Sequence, residues 1–432
     1  MRAFFTLVHR WFGLVIAAFI FLTGITGAVI SWDHELDDLL NPHLMQVDSR
    51  GPAIPATDLA RQIEARDPRV RVTYFPLAAE PGESLSFFVV PRVDPASGQP
   101  HRLDYNQVFL DPVTGAELGT RKWGQVWPVS SETFVSFLYK FHYSLHIPEM
   151  WGIDEWGVWF LGIIAVIWTV DCFIGFYLTL PLRRERRAAR AASVQRQLDR
   201  SWWSRWKPAW AIKWSGSGYR INFDIHRAFG LWTWALLFIL AFTGFSLNLY
   251  GEVFYPAMSK ISQVTPTPFD TRTPRPRHQP VEPAISREQA IALAQAEAAR
   301  RGWTAPVGAL AYAPAYGFYS PRFFRPGDDH GNAGVGPARL YIDGMTGELL
   351  GERIPWQGTA ADLFVQAQFP LHSGRILGLP GRIAISVMGL VAAALSVTGV
   401  VIWYRKRAAR IRQRRRAGMA VPAAAGSLQA AE

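Results

Sequence analysis

Four stretches of the chain are apolar over about the twenty residues that a helix needs to cross a bilayer: Trp11–Trp32, Trp156–Leu180, Phe229–Tyr250 and Ile383–Tyr404. Between the first and second, and again between the third and fourth, lie long polar segments of mixed pattern. In the first, Thr57–Arg66 reads as a short helix. Alternating strands follow near Val70–Phe75, Ser84–Val90 and Gln107–Leu110, and then the turn Asp111-Pro112-Val113-Thr114-Gly115. In the second, Ser286–Arg301 reads as a helix with Ser286 and Gln289 spaced as a capping box. Strands follow near Gly308–Tyr312, Gly317–Phe323 and Arg339–Ile342, and then Asp343-Gly344-Met345-Thr346-Gly347. Asp-x-x-Thr-Gly is ordinary turn chemistry. Its recurrence at matching places predicts two α+β regions related by duplication, joined through a Pro/Arg/Thr-rich linker, Thr265–Pro283.

The membrane stretches repeat as well. The first opens on His9-Arg10-Trp11-Phe12-Gly13-Leu14 and the third on His226-Arg227-Ala228-Phe229-Gly230-Leu231, 217 residues later; both then run through a Thr-Gly, Thr23-Gly24 and Thr243-Gly244. The second and fourth are preceded by Leu145-His146-Ile147-Pro148 and Leu371-His372-Ser373-Gly374.

Charge orients these spans. The net charge of +11 is concentrated after the second span (Arg183, Arg184, Arg186, Arg187, Arg190, Arg196) and after the fourth (Arg405, Lys406, Arg407, Arg410, Arg412, Arg414, Arg415, Arg416). The positive-inside rule puts both clusters, and both termini, in the cytoplasm. Basic charge that hugs apolar spans is a membrane pattern and not a nucleic-acid one. The N-terminal apolar run is too long for a secretory signal, lacks a small-residue cleavage site and matches an internal span, so it reads as a retained helix. The stretch after the second span holds Trp202, Trp203, Trp206, Trp210 and Trp214, which fits a headgroup-level anchor or a docking site for an electron donor. Ala211–Trp214 and Arg220–Phe223, joined by Ser215-Gly216-Ser217-Gly218, read as a small hairpin.

A single cysteine, Cys172, excludes internal disulfides and thiolate metal or iron–sulfur centres. Of ten histidines, His34, His43, His101, His278 and His330 lie in polar sequence where a solvated ring is the default. His9, His226, His146 and His372 stand at span ends in matched pairs, as a haem iron between helices requires. One haem on His9–His226 and another on His146–His372 would lie near opposite faces, separated by less than the roughly 30 Å of a span. His142, four residues before His146, is an alternative ligand, with Gln368 as its counterpart. Arg10 and Arg227 can pair with haem propionates or with lipid phosphates. Asp171 lies inside a span, where an ionised group costs about 3 kcal/mol or more, so it faces protein or water; proton coupling and a structural hydrogen bond are both open. Gly24, Gly27, Gly162, Gly175, Gly244, Gly389 and Gly399 allow close approach of a helix or a flat macrocycle. No nucleotide-binding glycine loop follows a strand, so NAD(P)H is not expected to bind directly.

The His-Arg-x-Phe-Gly-Leu openings, the twin Asp-x-x-Thr-Gly turns and the run Phe369–Arg382 resemble the PepSY-associated transmembrane family. The resemblance implies a multi-pass protein of the bacterial inner membrane. The expected fold is membrane α-helical with α+β extramembrane domains: a four-helix transmembrane bundle from a duplicated unit, with two periplasmic PepSY-like domains. The expected order is transmembrane helices at 1–32, 151–182, 226–250 and 380–405, periplasmic domains at 33–150 and 251–379, a basic Trp-rich cytoplasmic loop at 183–225 and a basic tail at 406–432. Better understood members resemble haem-containing ferric-siderophore reductases of iron uptake. Carried over, His9, His226, His146, His372 and His142 match the family's recurrent histidines, and the first four are the expected axial ligands. Two haem b groups, a ferric-siderophore substrate on the periplasmic side, the lipid bilayer and a cytoplasmic or quinol electron donor are the implied cofactors and partners. A PepSY-type regulator of a periplasmic peptidase and a small transporter are the rival readings; the first leaves the paired histidines unexplained.

Overall fold

The computed structural model describes residues 1–181, 201–328 and 330–419. The arginine cluster expected after the second span, at 183–196, lies outside the described residues, as does the end of the basic tail, and the side chains of Arg415 and Arg416 are likewise not described. The chain divides into two compact units, each assembled from separate stretches. One comprises Met1–Ala28, Phe160–Phe245 and the chain from Val387 on; the other comprises Val29–Trp159 and Ser246–Ser386.

In chain order the main helices are α1 (Arg2–Ile30), α2 (Asp33–Leu40), α3 (Ala56–Arg66), α4 (Ser131–Ser144), α5 (Trp156–Thr179), α6 (Gly218–Trp232), α7 (Trp234–Asn248), α8 (Arg287–Arg300), α9 (Ala360–Ser373) and α10 (Gly378–Met419). Three spans are long and apolar enough to cross a membrane: Arg2–Ile30, Trp156–Thr179 and Arg375–Arg414. The third expected span is not one helix. It is broken into α6 and α7, which meet at 71° and together make a fourth candidate. The break falls at Thr233, whose hydroxyl donates to the Phe229 carbonyl at 2.7 Å. Two indoles fix the corner, Trp232 donating to the Trp210 carbonyl and Trp234 to that of Cys172. The hairpin expected at 211–223 is also absent. Ser217 caps a helix start instead, its hydroxyl accepting from the Arg220 amide, and Arg220–Phe223 form the first turns of α6. Of the tryptophans beside it, Trp206 is core, packed with Phe176 and Leu231, whereas Trp203 and Trp214 are exposed.

The extramembrane unit contains the same order of elements twice. Helix α3 precedes β1 (Val70–Pro76), β2 (Leu85–Pro91), β3 (Gln107–Leu110) and β4 (Glu117–Arg121), then α4; helix α8 precedes β5 (Val307–Ala313), β6 (Phe318–Phe323), β7 (Ala338–Asp343) and β8 (Leu349–Arg353), then α9. The two polar segments, expected as separate domains, share one antiparallel sheet of eight strands in the order β4-β3-β2-β1-β5-β6-β7-β8. The seam is β1 against β5, with Tyr74 opposite Ala311, Phe75 opposite Leu310 and Pro76 opposite Ala309. One core underlies both halves: Leu59 and Ile63 of α3 and Ala290 and Ala294 of α8 pack on Val72, Phe87, Leu310 and Leu340. Alternation along the strands is what allows this, since every second side chain reaches the helix-covered face. The twin turns form as their chemistry predicts. Asp111 Oδ1 accepts from the amides of Val113 and Thr114, and Asp343 Oδ1 from those of Met345 and Thr346. Gly115 and Gly347 take the positive φ (70° and 79°) that closes each.

Candidate histidine-pair sites

In the unit containing the spans, His9 of α1 and His226 of α6 face one another with ring centres 6.3 Å apart and planes inclined at 54°. Both rings are held from behind through Nδ1. His9 Nδ1 lies 2.9 and 3.0 Å from the two carboxylate oxygens of Asp171. His226 Nδ1 lies 3.0 Å from Thr398 Oγ1 and 3.1 Å from the Leu395 carbonyl. With Nδ1 engaged, Nε2 is the nitrogen left on each ring to serve as a ligand, the arrangement that orients metal-bound imidazoles generally. Each ring also lies against a glycine. A Cβ added at Gly175 would stand 3.5 Å from His9 Cε1, and one at Gly399 would stand 3.2 Å from His226 Cε1. Asp171 is thus accounted for by a hydrogen bond to His9. Arg227, a candidate for propionates, is used internally: it pairs at 2.7 Å with Asp224, a fully buried carboxylate that also takes Arg220. Arg10 makes no ion pair among the described residues.

The extramembrane unit has a second pair of nearly the same geometry. His142 of α4 and His372 of α9 have ring centres 6.1 Å apart, inclined at 57°. This corrects the expected pairing of His146 with His372. Helix α4 stops at Ser144, and Leu145 and His146 both take positive φ (51° and 53°), so His146 leaves the face that His142 occupies. Its Nε2 lies 2.9 Å from the Phe137 carbonyl, and its ring stacks on Phe137 at 4.7 Å. Gln368, aligned with His142 in the repeat, is buried and committed: its Oε1 accepts from Ser246, and its Nε2 donates to the Phe364 carbonyl. Burial, and then His142 beside it, pushes the His372 imidazole down to about 3. An imidazole of that kind is neutral and has a lone pair to offer a metal.

Two glycines seat the helices that carry this pair. A Cβ on Gly157, in the first turn of α5, would overlap the Ser144 carbonyl at the end of α4. One on Gly381, in the first turn of α10, would overlap the Gly374 carbonyl just past α9. Sequence reading singled out neither glycine, nor Thr398 and Asp224; only the regular spacing, with Gly157 to Gly381 and Gly175 to Gly399 both 224 residues, hints at the glycines.

Two imidazoles that share a metal through opposite nitrogens need ring centres about 6 Å apart, from a metal–nitrogen distance of about 2 Å and about 1 Å from nitrogen to ring centre. Both pairs meet this requirement. Among the described residues no group of three or more His, Cys, Asp or Glu is placed to hold a metal ion. Each pair would therefore supply two imidazole donors, and a metal held there would need its other positions filled by another group, as a macrocycle would do.

Several apolar helices, an antiparallel sheet and a family profile together define a multi-pass membrane protein with an α+β extramembrane part. The profile of the PepSY-associated TM region matches residues 6–406, nearly the whole chain, and the chain belongs to the PepSY-associated transmembrane family. No curated protein matches it.

Proposed function

We propose that this protein is a di-haem b reductase of the bacterial inner membrane, with both termini cytoplasmic, that passes electrons from a cytoplasmic or quinol donor to a ferric siderophore in the periplasm. The observation that carries this reading is the pair of imidazole pairs, at 6.3 and 6.1 Å. His9 and His226 would hold one haem, and His142 and His372 the other. Haem, when bound, supplies a reversible one-electron carrier. The residues around it do the rest. Asp171 and Thr398 fix two of the rings, Gly175 and Gly399 keep side chains off their edges, and His372 stands half-buried beside His142. The substrate chemistry is equally simple: one electron converts Fe(III), held by hard oxygen donors, to Fe(II), which those donors bind less tightly, so release requires no bond hydrolysis.

The test is the visible spectrum of the detergent-purified chain, oxidised and dithionite-reduced, with haem quantified per polypeptide. Sharp reduced bands of six-coordinate b-type haem, near two per chain, are expected. A chain that stays colourless after expression with added haem would refute the reading.

A further inference from the structure

The sheet face opposite α3 and α8 carries three arginines in register. Arg322 of β6 is directly opposite Arg339 of β7, and Arg339 is directly opposite Arg353 of β8. Directly opposed residues have Cβ atoms only about 5 Å apart, and like charges there destabilise a sheet. None of the three forms an ion pair with a carboxylate among the described residues. The Nε atoms of Arg322 and Arg339 are buried without a hydrogen-bond partner. Burial, and then repulsion from Arg322 and Arg353, lowers Arg339 to about 10. Such a row is retained at a cost unless something anionic completes it.

Space for that anion is present on both sides of Arg339. A cavity of about 300 Å³ is lined by Arg339, Arg353, Gln366, Gln368, Phe369 and Tyr250. A second, of about 450 Å³, is lined by Arg322 and Arg339 together with Tyr74, Phe88, Phe318 and Ser320. The first cavity borders the helix of the second histidine pair, because Gln368 lies one turn before His372 on α9. Guanidinium forks match carboxylates in pairs, and the aromatic walls add apolar contact.

We propose that the Arg322–Arg339–Arg353 row is the docking site for a carboxylate-bearing polyanion, so that the ferric chelate this protein takes carries net negative charge. The substrate part of this inference rests on the reductase reading; the anion site does not. Arg322 lies over the Tyr74 ring and Arg339 has Tyr341 beside it, but three cations without a carboxylate partner among the described residues favour an anionic chelate over a cationic one.

The experiment is equilibrium binding of redox-inert gallium(III) citrate to the full-length, haem-loaded chain in detergent, against a cationic gallium(III) trihydroxamate. Gallium citrate should bind and weaken as salt rises, and the cationic complex should not bind. R322Q and R339Q should each weaken gallium citrate by about tenfold or more, the loss of charge-assisted hydrogen bonds, with two haems per chain retained. R339K, which keeps the charge and loses the fork, should fall between. Equal binding of the two gallium complexes by the unsubstituted chain would overturn the proposal, as would unchanged affinity in R322Q and R339Q. So would loss of a haem from R339Q with citrate binding intact, which would assign the arginine to a haem propionate. A chain without haem that still binds gallium citrate would remove the reductase reading and leave the anion site standing.

Discussion

At the scale of single residues, His142 and His146 separate cleanly although they are four apart. On an uninterrupted helix they would share a face. The positive φ at Leu145 and His146 ends the helix between them and sends the second ring to Phe137. On the di-haem proposal, His142→Ala should therefore lower the haem count by one per chain, whereas His146→Ala should leave it unchanged; pyridine haemochrome quantification of the two variants decides. The two backing groups of the first pair differ in charge, a carboxylate on His9 and a hydroxyl with a carbonyl on His226. On the same proposal, removing the charge with Asp171→Asn should weaken haem retention by about 10–100-fold, the usual effect of losing such a partner, and raise the reduction potential only of the haem held by His9 and His226. Potentiometric titration with the second haem as internal reference tests this; equal midpoints before and after the change would show that Asp171 does not act through His9.

At the scale of elements, much was legible. Strand β3 and the twin Asp-x-x-Thr-Gly turns follow from residues a few positions apart, so their chemistry is visible in a linear reading. Helices α4 and α9, which carry two of the four paired histidines, are marked in the sequence reading only by the helical-turn spacing of His142 and His146 and by Gln368, the counterpart of His142, which do not place the ends of either helix. The bend at Thr233 was hidden for a different reason. Apolar composition gives the length of a span, but the corner is set by Trp232 and Trp234 reaching carbonyls at Trp210 and Cys172, which are distant in sequence. The same holds for Gly157 and Gly381, whose need for hydrogen in place of a methyl exists only once the Ser144 and Gly374 carbonyls arrive beside them. Gly157→Ala or Gly381→Ala should force those contacts apart at about 1–3 kcal/mol, the common cost of overpacking. On the di-haem proposal, the expected result is earlier thermal loss of the haem band assigned to His142 and His372, with the band assigned to His9 and His226 unaffected. Identical melting of both bands in variant and parent would show that these contacts give way without effect.

At the scale of the whole molecule, the extramembrane part behaves as one body because its two segments, far apart in sequence, meet at a single seam. The pairing of β1 with β5 buries Phe75 and Leu310 on one core, each about 1 % exposed. Side chains also cross it: Glu64 of α3 pairs with Arg287 at the start of α8, and Arg71 of β1 pairs with Glu282. Two independent domains would respond separately to a lesion in one of them, whereas a shared core transmits it. Leu310→Ala should cost about 2–5 kcal/mol, the range for a large-to-small change at a buried site. Its consequence should reach backward across the seam. Hydrogen exchange should speed up in β1 and β2 as well as in β5 and β6, because Val72 and Phe87 lose the same packing. Faster exchange confined to residues after 251 would mean that the halves fold independently despite the continuous sheet. Exchange that rises together on both sides would tie the second histidine pair to both halves, since His142 follows β4 and His372 follows β8 in the chain, each on the helix after its own half of one sheet.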